Sequence, residues 1–520
     1  MRSVTLTAVA ALGIFGMAGA HAAGITGTVT GPDGKPFRAA FVQARNGETK
    51  ITVSVLSGND GSYHIDDLSA GNYRLQIRAP GYSADAKPDV KLAASDGAKQ
   101  DFALQKGPVQ WADISLSQGL RLLPDERGKK DFYVYCVACH GFQSRMAAAP
   151  TRDEGSWRAR MAYMRSAMGF FLDRPQRRLT DETADNIVHW MSQMWGEQSV
   201  LPESAADMTG YQETVRKVSD EALKIVYVEY EMPGPNRMPW SAVQDKEGKF
   251  WIPYYGRANK IGRLDAKTGV VTEYPVPNMG TAAIHSAVPA PDGTVWLTEQ
   301  GANKLGKWDP KTQAITEYED NWPKHTIRIR ANGEVWSTGG LTRFDPKTEK
   351  FTHIPDVPNA YGIALDRQGN IWFAEQRADG RIGKVDAETL HVTKYQQPTK
   401  AGFPRRIQVD QQDGTVWFAE FQAGKLAQFD PSSGNFKEFP LPGPRGTPYA
   451  VGIGADRMLW YSSEWMDVVG RLDPATGTVT EYPIPQAENS MRDFFLDDKG
   501  RIWFGSPPNN RVGYFYLSDK

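Results

Sequence analysis

The chain has only two cysteines, Cys136 and Cys139, which lie three residues apart, and His140 follows the second directly. A C-x-x-C pair alone also fits a small redox-active disulfide. Such a site needs a strand before it and a helix after it within a βαβ pattern, and none surrounds this pair. The added histidine makes C-x-x-C-H, the motif for covalent attachment of c-type haem, in which both thiols bond to the haem and the imidazole ligates the iron. We therefore predict that these three residues hold haem c.

A sixth iron ligand is expected from a methionine-rich helix predicted over residues 157–168. Met161, Met164 and Met168 share one face of this helix because they are spaced three and four residues apart. The same stripe also suits a hydrophobic core, where methionine fills irregular gaps. We predict Met168 as the ligand, since a glycine follows it and lets the chain turn there, with Met164 second. His189 is an alternative, although its place inside the last predicted helix favours a structural role.

The C-terminal part of the chain repeats about every 40 residues around a tryptophan. The seven tryptophans are Trp251, Trp296, Trp336, Trp372, Trp417, Trp460 and Trp503. Short alternating strands and Gly/Asp turns at this period are typical of a β-propeller, so we predict seven blades over residues 224–520. The last repeat lacks an outer strand, and the segment IVYVEYEMP at 225–233 supplies one ahead of the first repeat. We predict that it completes the seventh blade and closes the ring.

Polar and aromatic residues recur at the predicted start of each innermost strand, eleven positions before each tryptophan. They are Trp240, His285, His325, Tyr361, Arg406, Tyr449 and Arg492. Innermost strands line the central channel, so these side chains are expected to surround one of its mouths, where we predict that Trp240, Tyr361, Arg406, Tyr449 and Arg492 bind the substrate. Three positions after the tryptophan, the antiparallel second strand returns to that mouth and carries Glu299, Glu375 and Glu420. The alternative is that rim residues are polar because they are exposed, and that W-x-x-E recurs because the repeats are copies.

Two further units precede the repeats. Residues 24–106 alternate apolar and polar positions between Gly/Asp turns, which predicts a small antiparallel β-sandwich. Through segments such as LSAGNY (68–73), this unit resembles the carboxypeptidase regulatory-like domain family, which implies a non-catalytic sandwich.

The pattern of residues 119–198 predicts three helices around CVACH, the last capped by Thr180. This unit resembles a small class I cytochrome c, in which the first and last helices cross. The predicted fold class is therefore mainly β and multidomain, with an α-helical cytochrome c domain between the sandwich and the seven-bladed propeller.

Repeat units such as NIWFAEQRADGRIGKVD resemble the virginiamycin B lyase (streptogramin lyase) family over residues 224–520. The resemblance implies a seven-bladed propeller that opens a cyclic depsipeptide ester by elimination, with a histidine base and Mg²⁺ held by glutamates. It would make His285 the base, His325 a second polar contact, and Glu299, Glu375 and Glu420 the Mg²⁺ ligands. The histidines stand in I-H-S-A and K-H-T-I rather than the family's P-H-(G/A)-I. Tyr361 and Tyr449 occupy positions where a lyase carries histidine, and the lyase chemistry needs no haem.

The first residues, MRSVTLTAVAALGIFGMAGAHAAG, have the basic start, apolar run and A-x-A site of a cleavable signal peptide over residues 1–22. A membrane anchor is the alternative, but it needs about 20 unbroken apolar residues. We therefore expect a periplasmic or secreted protein without a membrane span after cleavage. The formal net charge of −1 gives no indication of nucleic-acid binding.

Three hypotheses follow from these predictions. The first is an exported cytochrome whose propeller binds a substrate or partner while the haem passes electrons to a periplasmic redox partner. The second is a lyase that acts on an unknown small molecule or cyclic ester, with the haem unit accessory. The third is a non-enzymatic binding platform. The first is favoured because covalent haem has little use unless electrons move.

Overall fold

The computed structural model describes residues 23–94, 97–137, 140–174, 177–277, 280–443 and 446–519. Cys139 and the predicted signal peptide lie outside these residues. In the described residues, no helix is both long enough and apolar enough to cross a membrane.

The N-terminal unit is a β-sandwich of nine strands. They are β1 (Ala23–Thr30), β2 (Phe41–Asn46), β3 (Ile51–Leu56), β4 (Ser62–Leu68), β5 (Gly71–Arg78), β6 (Tyr82–Ala84), β7 (Val90–Leu92), β8 (Gly97–Lys99) and β9 (Phe102–Lys106). One sheet has the order β4-β1-β9-β6, with β8 also paired to β1, and the other contains β3-β2-β5-β7. Buried and half-buried residues alternate strictly along β1, as expected for a strand with one face in a core.

The middle of the chain is helical. Its elements are α1 (Leu116–Leu122), α2 (Arg127–Tyr135), α3 (Glu154–Leu172), the short hairpin β10 (Asp173–Arg174) and β11 (Arg177–Arg178), and α4 (Asp181–Trp195). The hydroxyl of Thr180 accepts a hydrogen bond from the Thr183 amide at 3.2 Å, which is the N-cap predicted from the sequence. α2 crosses α4 at Gly128, where a Cβ would lie 2.3 Å from the carbonyl oxygen of Asn186. The first and last predicted helices therefore cross, and the crossing requires a glycine.

The C-terminal repeats form four-stranded antiparallel sheets arranged as blades. The strands are β12 (Ile225–Glu231), β13 (Val243–Gln244), β14 (Phe250–Pro253), β15 (Lys260–Leu264), β16 (Val271–Pro275), β17 (Ile284–Pro289), β18 (Val295–Glu299), β19 (Lys304–Trp308), β20 (Ile315–Glu319), β21 (Ile327–Ile329), β22 (Val335–Ser337), β23 (Thr342–Asp345), β24 (Lys350–His353), β25 (Ala360–Leu365), β26 (Ile371–Glu375), β27 (Ile382–Val385), β28 (Val392–Tyr395), β29 (Pro404–Val409), β30 (Val416–Glu420), β31 (Lys425–Asp430), β32 (Asn435–Pro440), β33 (Pro448–Ile453), β34 (Leu459–Ser463), β35 (Val468–Leu472), β36 (Val479–Pro483), β37 (Phe495–Leu496), β38 (Ile502–Ser506) and β39 (Arg511–Leu517). Each repeat tryptophan lies in the second strand of its blade and is buried.

The seventh blade is closed by a strand from the other end of the repeat region. β12 pairs antiparallel with β39 along its whole length, from Ile225 opposite Leu517 to Glu231 opposite Arg511. This is the closure predicted from the sequence. The other edge of β12 pairs with β3, from Tyr227 opposite Ser54 to Tyr230 opposite Ile51. One eight-stranded sheet therefore runs from the seventh blade into the sandwich and covers edges that would otherwise be exposed.

Candidate functional site

The structure brings together all seven residues predicted for the channel mouth. Ring centroids are separated by 5.3 Å between Trp240 and His285, by 3.7 Å between His285 and His325, and by 4.5 Å between His325 and Tyr361. The hydroxyl groups of Tyr361 and Tyr449 are hydrogen-bonded to each other. We call the seven residues the channel ring.

The two arginines of the channel ring complete it by stacking on its aromatic members. The guanidinium carbon of Arg406 lies 5.2 Å from the centre of the Tyr361 ring. That of Arg492 lies 5.0 Å from Trp240 and 5.2 Å from Tyr449. Such cation–π contacts gain strength when water is excluded, as it is here for the buried arginines.

His285 of the channel ring is held neutral by its surroundings. Burial, together with the nearby His325, Arg406 and Arg492, lowers the pKa of His285 well below its ordinary value. Its Nδ1 lies 3.3 Å from the Ser286 hydroxyl, while Nε2 is buried and has no hydrogen-bond partner in the described part of the chain. A neutral imidazole with such a nitrogen can accept a proton or a hydrogen bond from a group that reaches it.

The predicted glutamates end their strands at this mouth, but their side chains lie within their own blades. Glu375 accepts a hydrogen bond from Lys394 at 2.8 Å, and Glu299 lies beside Gly306 of the neighbouring strand. Glu420 lies close to Lys425 and Glu438. Among the described residues, no three His, Cys, Asp or Glu side chains are grouped closely enough to share a metal ion. The three glutamates are therefore not brought together in this structure, and a Mg²⁺ site remains a prediction from the resemblance alone.

The helical unit covers the mouth that the channel ring surrounds. Tyr133 of α2 packs edge-on against Trp465 at 4.9 Å, and the amide of Ser117 donates to the Trp465 carbonyl at 2.8 Å. Trp465 in turn packs against Phe421, and the amide of Ser144 donates to Glu488 at 2.7 Å. Helical and propeller residues thus share one hydrophobic cluster, which includes Trp240 and Tyr449 of the channel ring.

Sequence reasoning missed the residues that make this contact. Tyr255 and Phe421 each lie four positions after a repeat tryptophan, and Trp465 lies five positions after one. Aromatic residues next to the W-x-x-E position were the available signal that this mouth contacts another surface.

A cavity of about 320 Å³ lies between the helical unit and the propeller. His140, Cys136 and the three methionines Met161, Met164 and Met168 line it. Met168 is buried and has non-helical backbone angles (φ −125°, ψ 21°), so α3 is interrupted at the residue predicted as the sixth ligand. His189 lies outside this cavity, with 64% of its side chain exposed, beside Glu154.

The orientation of His140 suits a ligand role. Its Nδ1 lies 2.8 Å from the carbonyl oxygen of Gly141. Because a carbonyl can only accept a hydrogen bond, the hydrogen belongs on Nδ1 and the lone pair on Nε2. In metal-ligating histidines, the ring nitrogen that does not bind the metal commonly donates a hydrogen bond of this kind, which fixes the orientation of the ring.

The remaining lining of the cavity is largely apolar and includes several arginines. Four arginines line it, namely Arg145, Arg152, Arg160 and Arg257, and no described aspartate or glutamate does. Met238, Tyr255 and Arg257 come from the propeller, so the cavity is completed only when the two units are in contact. Arg257 reaches the helical unit, where it donates to the Ser166 hydroxyl at 3.1 Å and stacks over Tyr163. An apolar group that carries carboxylates at one edge, as haem does, fits such a lining.

Comparisons with known proteins support two of the three units. The model of the virginiamycin B lyase family matches residues 340–519, and that of the carboxypeptidase regulatory-like domain matches residues 24–105. These matches leave the helical unit between them unassigned. No curated protein matches the chain's sequence significantly.

Solved structures of lyases are similar to the propeller. The virginiamycin B lyase from Staphylococcus aureus is 27% identical, with a TM-score of 0.51, over 56% of this chain and 98% of the lyase. A streptogramin B lyase structure is 25% identical, with a TM-score of 0.52, over 58% of this chain and 100% of that one. A catalytically inactive histidine-to-alanine variant of the Staphylococcus aureus enzyme, with quinupristin, is similar to the same extent. The chain therefore carries a virginiamycin B lyase-like propeller and a carboxypeptidase regulatory-like N-terminal domain, and it is mainly β and multidomain.

Proposed function

We propose that this protein is an exported c-type cytochrome in which the propeller closes the haem cavity and binds the partner or substrate with which electrons are exchanged. The observation that carries the proposal is the cavity itself. The C-x-x-C-H histidine, the first cysteine and the methionine stripe, recognised separately in the sequence, line one largely apolar space together with four arginines.

The residues of this cavity have distinct roles in the proposal. Cys136 and Cys139 would form the thioether links to haem, and His140 through Nε2 and Met168, with Met164 as the alternative, would ligate its iron. Bound haem supplies one-electron oxidation and reduction. The arginines of the cavity offer charge-assisted hydrogen bonds to the propionates.

The propeller's part in the proposal rests on Tyr255. This side chain lines the cavity, and its ring centroid lies 4.3 Å from that of Trp240 and 6.0 Å from that of His285. The cavity is therefore one residue away from the buried channel ring. This contact supports a function in which the propeller and the haem act on the same partner or substrate.

The test is covalent haem attachment in protein that matures in a periplasm able to attach haem. We expect the mature chain to carry one haem, detected by intact mass and by its pyridine haemochrome spectrum, and to be recovered from the periplasmic fraction without residues 1–22. Cys136→Ser and Cys139→Ser should each abolish the double attachment, whereas Ser144→Ala, at a residue on the same cavity wall, should retain it. A wild-type chain without bound haem would refute the proposal.

A second candidate function is a lyase reaction at the channel ring, favoured by the unpartnered Nε2 of the buried His285. In this function His285 removes a proton from the substrate, and the helical unit has to move aside because His285 is only 2% exposed. Incubation with quinupristin separates the two functions. Ring opening that is lost in His285→Ala would establish the lyase. If wild-type protein leaves quinupristin intact and His285→Ala retains its haem spectrum, the cytochrome function stands without a lyase activity. If neither haem nor turnover is found, the binding platform remains.

A further inference from the structure

The end of the channel opposite the helical unit opens into a second cavity, of about 390 Å³. Its walls come from the ends of inner strands and the turns that follow them: 408–412 at the end of β29, 452–455 at the end of β33, and 494–496 around β37. The channel ring lies at or before the starts of these strands, so this cavity lies at their other end. Its volume is within the range of roughly 300–1,000 Å³ usual for small-molecule sites.

Arg328 is the distinctive polar group of this cavity. It extends from the middle of β21 towards the seventh blade, where its guanidinium carbon lies 5.4 Å from the centre of the Phe495 ring. Its Nη1 donates to the carbonyl of the neighbouring Ile327 at 2.9 Å, and its nearest charged neighbours are Asp493 and Arg406, which act on it in opposite directions. By contrast Arg457, the other arginine of the cavity, is paired with Asp410.

Four arginines in and beside the channel share two nearby carboxylates. Arg492 and Arg405 share Glu464, and Arg406 lies 3.8 Å from Asp493. Together with Arg328, these described residues make four guanidinium groups against two carboxylates. Buried charge without a counter-ion costs free energy, and an anion that enters the channel lowers this cost.

We infer that the open end of the channel is a binding site for a small organic carboxylate, held by the guanidinium of Arg328 and by the apolar surfaces of Ile453, Phe495 and Leu496. A guanidinium matches a carboxylate with two parallel hydrogen bonds, and the apolar wall, half-buried at Ile453 and Phe495 and exposed at Leu496, favours an anion with an apolar body over inorganic phosphate. This site is separate from the haem cavity and does not depend on haem being bound.

Isothermal titration of the full mature chain tests the inference with benzoate, benzyl alcohol and inorganic phosphate as probes. We expect benzoate to bind the wild type, with an affinity at least tenfold lower in Arg328→Gln. The affinity of Arg328→Lys should be intermediate, because lysine keeps the positive charge but cannot form the two parallel hydrogen bonds of a guanidinium. Benzyl alcohol, which has the ring without the charge, should not bind measurably. Arg367→Gln is the matched control, because Arg367 is exposed in the turn that follows β25, the inner strand of the fourth blade, and lies outside the cavity.

The other outcomes overturn the inference. No benzoate binding by the wild type, equal binding by Arg328→Gln, or preference for phosphate would each contradict it. If Arg328→Gln does not fold, the test rests on Arg328→Lys alone. Benzoate affinity equal to that of the wild type in Arg328→Lys would rule out the contact through two hydrogen bonds. Haem content, measured on the same samples, reports separately on the cytochrome proposal.

Discussion

Glu420 provides a stability prediction whose sign is unusual for a carboxylate. It is fully buried at the end of β30, and neither carboxylate oxygen has a hydrogen-bond partner among the described residues. Burial raises its pKa from 4.5 to about 8; Glu438 adds to the rise, while Lys425 opposes it. The folded protein therefore holds a proton on Glu420 at neutral pH.

The sign of the effect follows from proton linkage. Between pH 4.5 and about 8 the unfolded chain releases this proton while the folded chain keeps it, so the free energy of unfolding falls as pH rises through this window. One pKa unit corresponds to about 1.4 kcal/mol, which gives a ceiling of about 5 kcal/mol for the loss. Glu420→Gln keeps the shape without the titration. We expect it to be more stable than wild type at pH 8.5 by roughly 2–5 kcal/mol and close to wild type at pH 4.

Thermal unfolding from pH 4 to pH 9 provides the assay. Glu375→Gln is the matched control. Glu375 occupies the same position in the fourth blade but forms an ion pair with Lys394, so the substitution removes this pair and should lower the free energy of unfolding at pH 8.5. A Glu420→Gln variant less stable than wild type at pH 8.5 would refute the reasoning. The reasoning would also be refuted if millimolar Mg²⁺ stabilised the wild type but not Glu420→Gln. That result would make Glu420 the metal ligand that the lyase resemblance implies.

Three further predictions concern the helical unit and its contact with the propeller. Gly128→Val should destabilise the α2–α4 crossing by about 1–3 kcal/mol, measured by urea unfolding, whereas a substitution at the exposed Val134 of the same helix should have little effect. Met168→Leu should make the haem five-coordinate and able to bind carbon monoxide, while Met164→Leu should not; the reverse result would exchange their roles. Trp465→Ala should loosen the helical unit, so that amide hydrogen exchange becomes faster in α2 and stays unchanged in β39. Equal exchange rates in α2 of the variant and the wild type would contradict the described contact.

The sequence predicted the blades and the channel ring because both depend on local periodicity. A tryptophan at a fixed place in each repeat sets the strand register, and counting eleven residues back reaches the same point of the inner strand in every blade. Pairing of β12 with β39 was predictable for the same reason, since a missing outer strand has to be supplied. The break in α3 at Met168 also agrees with the glycine that follows it.

The contacts between units could not be predicted in this way. The second edge of β12 pairs with β3 through backbone groups, which leave no pattern in the sequence. The helical unit covers the channel ring through Tyr133 and Trp465, which are far apart along the chain. The glutamates were placed at the correct mouth, but strand position alone does not say whether a side chain points into the channel or into its own blade. Glu375 shows the second arrangement through its bond to Lys394.

The proposed function requires that His140 and a methionine ligate a haem enclosed between the helical unit and the propeller. The most direct measurement is the absorbance spectrum of the matured protein, oxidised, then reduced, then exposed to carbon monoxide. We predict a six-coordinate low-spin haem whose reduced spectrum does not change with carbon monoxide. A five-coordinate haem that binds carbon monoxide, or a spectrum without haem, would contradict it.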